Sequence, residues 1–356
     1  MELPDLRSAI DHIDDEILRL LNERARLVGQ VAELKERMQV PFYVPSRERA
    51  IVDRLAGTNA GPFPTEAIRP VFQEIFSACL SLEKTVRVAY LGPEATFTHM
   101  AVKRQFGLSA RGIPMGTIAG VFDEVARGLA DFGVVPVENS TEGVVNHTLD
   151  TFLVSELRIS AEILLAVDHC LLFRAGVELG DLERVYSHPQ GLAQCRRWLS
   201  ANLPRASLIE APSTAEAARL ARDDARGGAV ASELAAKLYD LVVARRGIAD
   251  VAQNLTRFLV IGTQQADATG RDRTSILLEL GDQPGILYRV LEPFARSGLN
   301  LSKIESRPSR RRPWEYVFFI DIDGHEHDAG LAAALAEVGK ATSLKVLGSY
   351  PRAEAT

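Results

Sequence analysis

The chain has 356 residues, of which 46% are hydrophobic and 25% charged, with a formal net charge of -6. That length fits two or three domains with sizeable cores, and the acidic balance argues against nucleic acid or an anionic membrane as a general partner. Cys79, Cys170 and Cys195 form neither a C-x-x-C pair nor a disulfide framework, which points to a reducing, cytoplasmic setting. The opening MELPDLRSAIDHIDDE is too acidic for a signal peptide. The most apolar stretch, ISAEILLAVDHCLLF, is interrupted by Glu162, Asp168 and His169 and is too short to span a bilayer.

The first element is a long helix. Apolar residues recur at Leu6, Ile10, Ile13, Ile17, Leu20, Leu27, Val31, Leu34 and Met38, and Pro41 follows. These steps of four and three predict an amphipathic helix with a coiled-coil-like seam over about residues 5–38. The gap in the register, position 24, holds Arg24. Helical patterns resume at 46–55 and 67–82, around a GTNAGPFPT turn. Three helices bury so long a seam poorly by themselves, so a paired helical dimer is expected.

From Val86 the pattern changes. VRVAYLG, DFGVVPV, ISAEILLAV, ERVYSH, ASLIEA, GGAVAS and RFLVIGT read as short strands, with helical stretches such as 191–200, 214–223 and 234–243 between several of them. Ser213-x-x-Glu216 is a capping-box pattern. This alternation predicts an α/β domain with a largely parallel sheet, in two lobes. Ligands of such folds bind beyond the carboxyl ends of the strands. Polar clusters fall there: VENSTEG after Val137's strand, SHPQG after Tyr186, and PST after Ala211.

GTQQADATGRDRT then reads as a linker. From Thr274 the order is strand, GDQPG turn, helix, strand, basic loop, strand, helix, strand. That is a small ferredoxin-like βαββαβ module. The expected division is 1–84 helical, 85–263 α/β, 264–273 linker and 274–356 C-terminal module. Nothing in the module reads as a nucleophile, metal cluster or phosphate loop, so a binding or regulatory role suits it better than catalysis.

Arg24 on an apolar seam needs a partner, because an unpaired buried charge is costly. Lys35 lies eleven residues on, about 16 Å along the axis and nearly on the same face. Arg7 is about 25 Å away in the other direction and reaches such a pocket only from a partner helix. Arg47 and Glu48 add a cation and a carboxylate from the second helix. The spacing describes a dry, cation-lined pocket for a small polyanion; Arg7, Lys35 and Arg47 as solvated surface charges is the competing reading.

Several motifs carry a resemblance. LRSAIDHIDDEILRLLNERARLVGQVAELK and RERAIVDRL resemble the all-helical chorismate mutase domain. YLGPEATFTHMA, VPVENSTEG, DHCLL, YSHPQ and NLTRF resemble prephenate dehydratase, a two-lobed, periplasmic-binding-protein-like α/β fold. QPGILYRVLEPFARSGLNLSKIESRP resembles the ACT regulatory domain, with PGIL where the family usually has Gly-Ala-Leu-Val and ESRP intact. In this order the chain resembles the bifunctional chorismate mutase–prephenate dehydratase family of phenylalanine biosynthesis, over nearly its whole length.

The resemblance implies chorismate and prephenate as substrates, L-phenylalanine as effector, and no metal or organic cofactor. Arg7 from the partner chain, Arg24, Lys35, Arg47 and Glu48 match the family's mutase-binding residues. Val44, Cys79 and Glu83 stand where some members have Asp, Ser and Gln. Glu83 assists the breaking ether only when protonated, since an ionised carboxylate donates no hydrogen bond.

In the dehydratase, the resemblance ties activity to Thr256 of Thr-Arg-Phe, pictured as a hydrogen-bond donor to the departing oxygen. Arg257 is expected to hold a carboxylate or to fix the loop. Thr96, Asn139, Ser140, His188, Gln190, Ser213, Thr214 and Asn254 are the polar groups expected to complete the pocket, with turn or cap roles as the alternative. The phenylalanine site is expected at Gly285, Ile286 and Leu287 of the helix start and Asn300, Glu305 and Ser306 of the following strand, across two chains. A homodimer or dimer of dimers follows. Two other readings stay open: a solute-binding sensor with a helical stalk, and a dehydratase whose helical domain is a degenerate mutase.

Overall fold

The computed structural model describes residues 2–38, 40, 42–251, 253–281, 283–309 and 316–353. Pro41, Asp282 of the GDQPG turn and residues 310–315 of the basic loop lie outside them. The backbone falls into two compact units, Met1–Val86 with Gln105–Arg111, and Arg87–Arg104 with Gly112–Thr356.

The first unit holds three helices, α1 (Leu3–Met38), α2 (Pro45–Thr58) and α3 (Thr65–Glu83). Pro45 opens α2, where its missing N–H is one that the first turn leaves unused anyway. Val52 of α2 and Ile68, Phe76 and Cys79 of α3 are buried. The seam of α1 is not. Leu6, Ile10, Ile13, Ile17, Leu20, Leu27, Val31 and Leu34 are each between 45% and 57% exposed. The seam forms as its spacing predicts, and one chain leaves it uncovered.

The second unit begins with β1 (Arg87–Leu91), α4 (Phe97–Phe106), β2 (Arg111–Met115), α5 (Ile118–Ala126), β3 (Phe132–Asn139), β4 (Gly143–Val144), α6 (Asn146–Phe152) and β5 (Arg158–Ala166). It crosses to a second lobe of β6 (Cys170–Phe173), β7 (Arg184–Ser187), α7 (Pro189–Gln194), α8 (Arg196–Asn202), β8 (Ser207–Glu210), α9 (Thr214–Asp223), β9 (Gly227–Ala231), α10 (Glu233–Tyr239) and β10 (Val242–Arg245). It then returns through β11 (Leu255–Gly262). The first sheet runs β2-β1-β3-β11-β5, with β4 on β3, and the second β10-β6-β9-β7-β8.

The sheets are mixed rather than largely parallel. β1 pairs β3 in parallel, but β11 is antiparallel to both β3 and β5 because it re-enters from the other lobe. β6 is likewise antiparallel to β9 and β10. The helix expected over 234–243 stops at Tyr239, where Asp240 turns left-handed (φ 54°), and the apolar Val242–Arg245 becomes a strand. The stretch 191–200 is two short helices that meet at Cys195.

The C-terminal module is β12 (Asp272–Leu280), α11 (Ile286–Arg296), β13 (Leu301–Pro308), β14 (Tyr316–Asp323), α12 (Ala329–Ala341) and β15 (Ser343–Pro351), in sheet order β13-β14-β12-β15. One face of this sheet packs under its own helices, with Ile276, Leu278, Ile320 and Ile322 against Val290, Phe294, Leu331 and Val338. The other face is not solvated. Leu277, Val317, Phe319, Leu347 and Tyr350 share a core with Val137, Leu149, Phe152, Ile159 and Leu259 of the first lobe. At Gly348 the backbones come so close that a Cβ would collide with the Ile159 carbonyl. The module is therefore joined to the α/β domain by a packed sheet face as well as by its short linker.

Candidate active sites

In the helical unit, α1 presents Arg24 beside α3. Its guanidinium lies 5.2 Å from the centre of the Phe76 ring, and its Nη1 is buried without a hydrogen-bond partner. A cation held in this way favours an anionic ligand. A cavity of about 380 Å³ opens there, lined by Arg24, Val28, Val31, Arg47, Arg54 and Phe72 among others. Arg54 joins the cations expected from sequence; it sits two helical turns past Arg47 on α2, a spacing readable beforehand.

Lys35 donates to the Phe42 carbonyl at 2.8 Å and lies 3.5 Å from Glu83 Oε2. Glu48 is half-buried, and desolvation pushes its carboxyl up to about 8, although Arg24 and Lys35 pull the other way. Two carboxyls thus border the cations, and desolvation favours the protonated form of Glu48 near neutrality. Arg7 is exposed on the far N-terminal part of α1, so one chain does not bring it to Arg24. Val44 caps α2 without a side-chain hydrogen bond.

In the second unit a polar network sits where the two lobes are joined. The crossings run from β5 to β6 and from β10 to β11. They are tied by Val167 N–H to the Asn254 carbonyl at 2.8 Å and Ile248 N–H to the His169 carbonyl at 3.0 Å. Asn139 ends β3 directly opposite Thr256 on β11. Its amide donates to Thr256 Oγ1 and to Asn254 Oδ1, both at 2.7 Å. Its own oxygen accepts from Thr141 N and Oγ1 and from Glu142 N, which fixes which end of the amide donates.

Asn254 in turn donates to Gln194 Oε1 at 2.9 Å, and that oxygen also contacts His169 Nε2 at 2.8 Å. An amide oxygen only accepts, so His169 carries its proton on Nε2. Burial holds His169 below its ordinary pKa, and hence neutral. Gln194 completes the ring by donating to Thr141 Oγ1 and Glu142 Oε1. A cleft of about 260 Å³ opens beside it, lined by Thr141, Gln194, Arg197, Asp250 and Asn254.

His169 and Gln194 were not among the residues expected for the pocket. A histidine opening an otherwise apolar strand, in DHCLL, was the available signal for the first. Nothing local marks Gln194, which reaches the network because α7 ends there.

Thr256 and Arg257 point to opposite faces of β11, as consecutive strand residues must. Arg257 is buried, with Nε 2.7 Å from Glu162, Nη1 2.5 Å from Asp321 and Nη2 2.9 Å from Tyr350 Oη. Glu162 also takes Arg273 at 2.7 Å, and Ser275 bonds Asp321. Of the two roles expected for Arg257, the geometry excludes holding a substrate carboxylate beside Thr256; its charge is spent inside the protein.

The remaining pocket residues are placed as follows. Ser140 Oγ accepts from Leu255 N–H at 2.9 Å and so laces the loop to β11. His188 caps α7 by accepting from Gln190 N–H, and Ser213 caps α9, on which Thr214 is the first residue. Thr96 donates to the Pro93 carbonyl at the carboxyl end of β1. Among the described residues no hydrogen bond joins Thr96, His188, Gln190, Ser213 or Thr214 to the Thr256 network.

In the module, Gly285 is the left-handed cap of α11 (φ 73°), and the Ile286 N–H is already taken by the Gln283 carbonyl. Leu287 is half-buried in the first turn. Asn300 donates to Asp323 Oδ2 at 2.8 Å, which leaves its own oxygen outward. Glu305 pairs with Phe319 on the face towards the dehydratase lobe, whereas Ser306 pairs with Phe318 on the face that carries α11. Only Ser306 of the two shares a face with the helix start.

The comparisons with known proteins find three family matches along the chain. Residues 6–84 match chorismate mutase type II, residues 88–266 prephenate dehydratase and residues 274–340 the ACT domain. Together they define a class: a helical mutase unit, a two-lobed dehydratase and an ACT module on one chain. A bifunctional chorismate mutase/prephenate dehydratase of Aquifex aeolicus is 51% identical over 99% of this chain and 98% of its own length. One of Pseudomonas aeruginosa is 44% identical over the same shares. The solved prephenate dehydratase of Arthrobacter aurescens, in complex with L-Phe, covers 76% of this chain and 92% of its own, at 37% identity and a TM-score of 0.71. The chain belongs to the bifunctional chorismate mutase/prephenate dehydratase family.

Proposed function

We infer that the helical unit rearranges chorismate to prephenate and that the α/β domain converts prephenate to phenylpyruvate, with loss of water and carbon dioxide. The observation that carries the second step is the Asn139–Thr256 contact. Asn139 can only donate to Thr256 Oγ1, so the hydroxyl proton of Thr256 points elsewhere, free for the departing oxygen of the substrate. The same hydrogen bond stabilises negative charge on Oγ1 and makes a weak acid a better donor. Hydroxide leaves with that help, the carboxylate is lost as carbon dioxide, and the ring becomes aromatic.

The rearrangement is pericyclic and needs no covalent catalyst. It gains from holding the dianion in its reactive conformer and from a donor at the breaking ether. Arg24 with its orphaned Nη1, Lys35 and Arg47 supply charge, and protonated Glu48 supplies a donor. We read the exposed seam of α1 as the face that a second copy covers, bringing its Arg7 to this pocket. Incubation with chorismate, followed by assay of chorismate loss and phenylpyruvate gain, tests the reading. A degenerate mutase would leave chorismate untouched and still turn over added prephenate.

L-Phenylalanine is the effector we propose for the ACT module, as the complexed Arthrobacter relative suggests. Its carboxylate suits the amides at Gly285 and the first turn of α11, and its ammonium suits the free Asn300 oxygen. β13 is an edge strand with Ile304 44% exposed, so a second copy can close the site from the side. The cytoplasm is the setting that the three buried, unpaired cysteines suit. Among the described residues, no helix is long and apolar enough to cross a membrane.

A further inference from the structure

The ACT sheet meets the dehydratase lobe in two different ways at its two edges. At the β15 edge the backbones meet, with Gly348 against the Ile159 carbonyl, and Lys345 of the same strand donates to the Ser155 carbonyl. At the β13 edge the contact is made by long charged side chains. Lys303 Nζ lies 2.8 Å from Glu138 Oε2, and Arg307 Nη2 lies 2.8 Å from Asp150 Oδ1. One strand in from that edge, Asp321 faces Lys303 in register and holds Arg257 at 2.5 Å. A void of about 20 Å³ lies between the sheet and the lobe, bordered by Arg257, Lys303 and Asp321 and otherwise largely by apolar groups such as Leu149, Ile159 and Leu347. The β15 edge is thus seated by a close backbone approach, while the β13 edge is held by two ion pairs.

The partners on the dehydratase side are the sequence neighbours of the pair that aims the hydroxyl. Glu138 precedes Asn139, and Arg257 follows Thr256. Glu138 and Arg257 also face each other in register, one step from the Asn139–Thr256 pair, next to an irregularity in the β3–β11 ladder. Bulges of this kind let neighbouring side chains be re-aimed by small shifts. A ligand on the β13 edge acts at the far end of a sheet seated at β15, where a small rotation gives the largest displacement.

We propose that Lys303–Glu138 and Asp321–Arg257 form a charged clamp through which occupation of the β13 edge alters the Asn139–Thr256 contact. Lys303 and Glu138 are then positioning residues for the dehydration step. The proposal rests on the reading of L-phenylalanine as effector. Coupling requires only that the effector favour one of two arrangements of the clamp.

The test uses the full-length protein and L-phenylalanine. Lys303→Met should bind phenylalanine in calorimetry within about threefold of wild type, since Lys303 faces away from α11. Dehydratase activity left at saturating phenylalanine should nevertheless rise at least fivefold over wild type. Lys303→Arg, which keeps a cation between Glu138 and Asp321, should retain inhibition, whereas a merely structural loss would reach both variants. If Lys303→Met binds phenylalanine and is inhibited as fully as wild type, the clamp does not carry the signal. Loss of binding in Lys303→Met would place Lys303 in the effector site and overturn the proposal. No binding by wild type would instead remove the effector reading on which it stands.

Discussion

Thr256 and Arg257, adjacent in the chain, divide two tasks between the two faces of one strand. The threonine hydroxyl accepts from Asn139 at the junction of the lobes, and the arginine is sunk between Glu162, Asp321 and Tyr350 on the side of the C-terminal sheet.

The first prediction separates these tasks at Thr256. Thr256→Val keeps the branched shape and removes the donor. Phenylpyruvate formation should fall by about a hundredfold or more, while chorismate is still converted to prephenate. Thr256→Ser, which keeps a hydroxyl, should recover a measurable part. A valine variant as active as wild type would remove Thr256 from the reaction.

Asn139→Asp tests the direction of the hydrogen bond. The shape is almost unchanged, but a carboxylate accepts where the amide donated. The Thr256 proton would turn inward, and kcat for prephenate should drop by about two orders of magnitude with a much smaller change in KM. Equal kcat in the two proteins would mean that the amide does not orient the hydroxyl.

Arg257→Met should behave as a buried-charge lesion. It leaves Glu162 with Arg273 and takes from Asp321 its guanidinium partner, and removing one partner from such a cluster costs about 3–5 kcal/mol. The melting temperature should fall and kcat with it, while KM for prephenate stays within about threefold. A large rise in KM with unchanged melting would return Arg257 to the substrate.

The mutase should lose activity as pH rises past about 8, where Glu48 ionises and ceases to donate. The sign for stability is the same. The folded value lies above the ordinary one, so the contribution is complete below the usual carboxylate range and is lost as pH rises through about 8. Glu48→Gln should flatten both profiles. The resemblance put this role on Glu83, whose carboxylate borders the same pocket beside Lys35. Should Glu83→Gln flatten the alkaline limb and Glu48→Gln leave it, the role reverts to Glu83.

A mutase pocket shared between two copies, as proposed, predicts complementation. Arg7→Ala and Arg24→Ala should each be poor mutases as separate preparations, and their mixture under subunit exchange should regain activity, because one hybrid pocket keeps both arginines. A mixture shown to contain heterodimers, with no recovery, rules out the trans arrangement.

What the sequence disclosed, and what it did not, follows physical lines. The seam of α1 and the intrusion of Arg24 were legible because helical periodicity is a local property. So were the caps at Ser213 and the ββ spacing of the C-terminal module. Strand direction was not: β11 looks like any apolar strand, and only its return from the second lobe makes it antiparallel. The destination of Arg257 was illegible for a related reason. Alternation says that it opposes Thr256, but not that another sheet, with Asp321 more than sixty residues later, waits on that side. Glu48 and Glu83 look alike in sequence, and only the fold shows that both border the same cations, Glu83 beside Lys35 and Glu48 near Arg24 and Lys35.

The shared core beneath the C-terminal sheet bears on how this enzyme would escape the end-product control proposed for it. Leu277, Val317, Phe319 and Leu347 roof an apolar face of the dehydratase lobe, and Asp321 neutralises part of Arg257. Cutting the module away would strip that roof and strand a charge, so truncation ought to cost the catalyst along with its brake. Strains selected to overproduce phenylalanine should therefore carry single substitutions along α11 and β13, and not stop codons after Gly262.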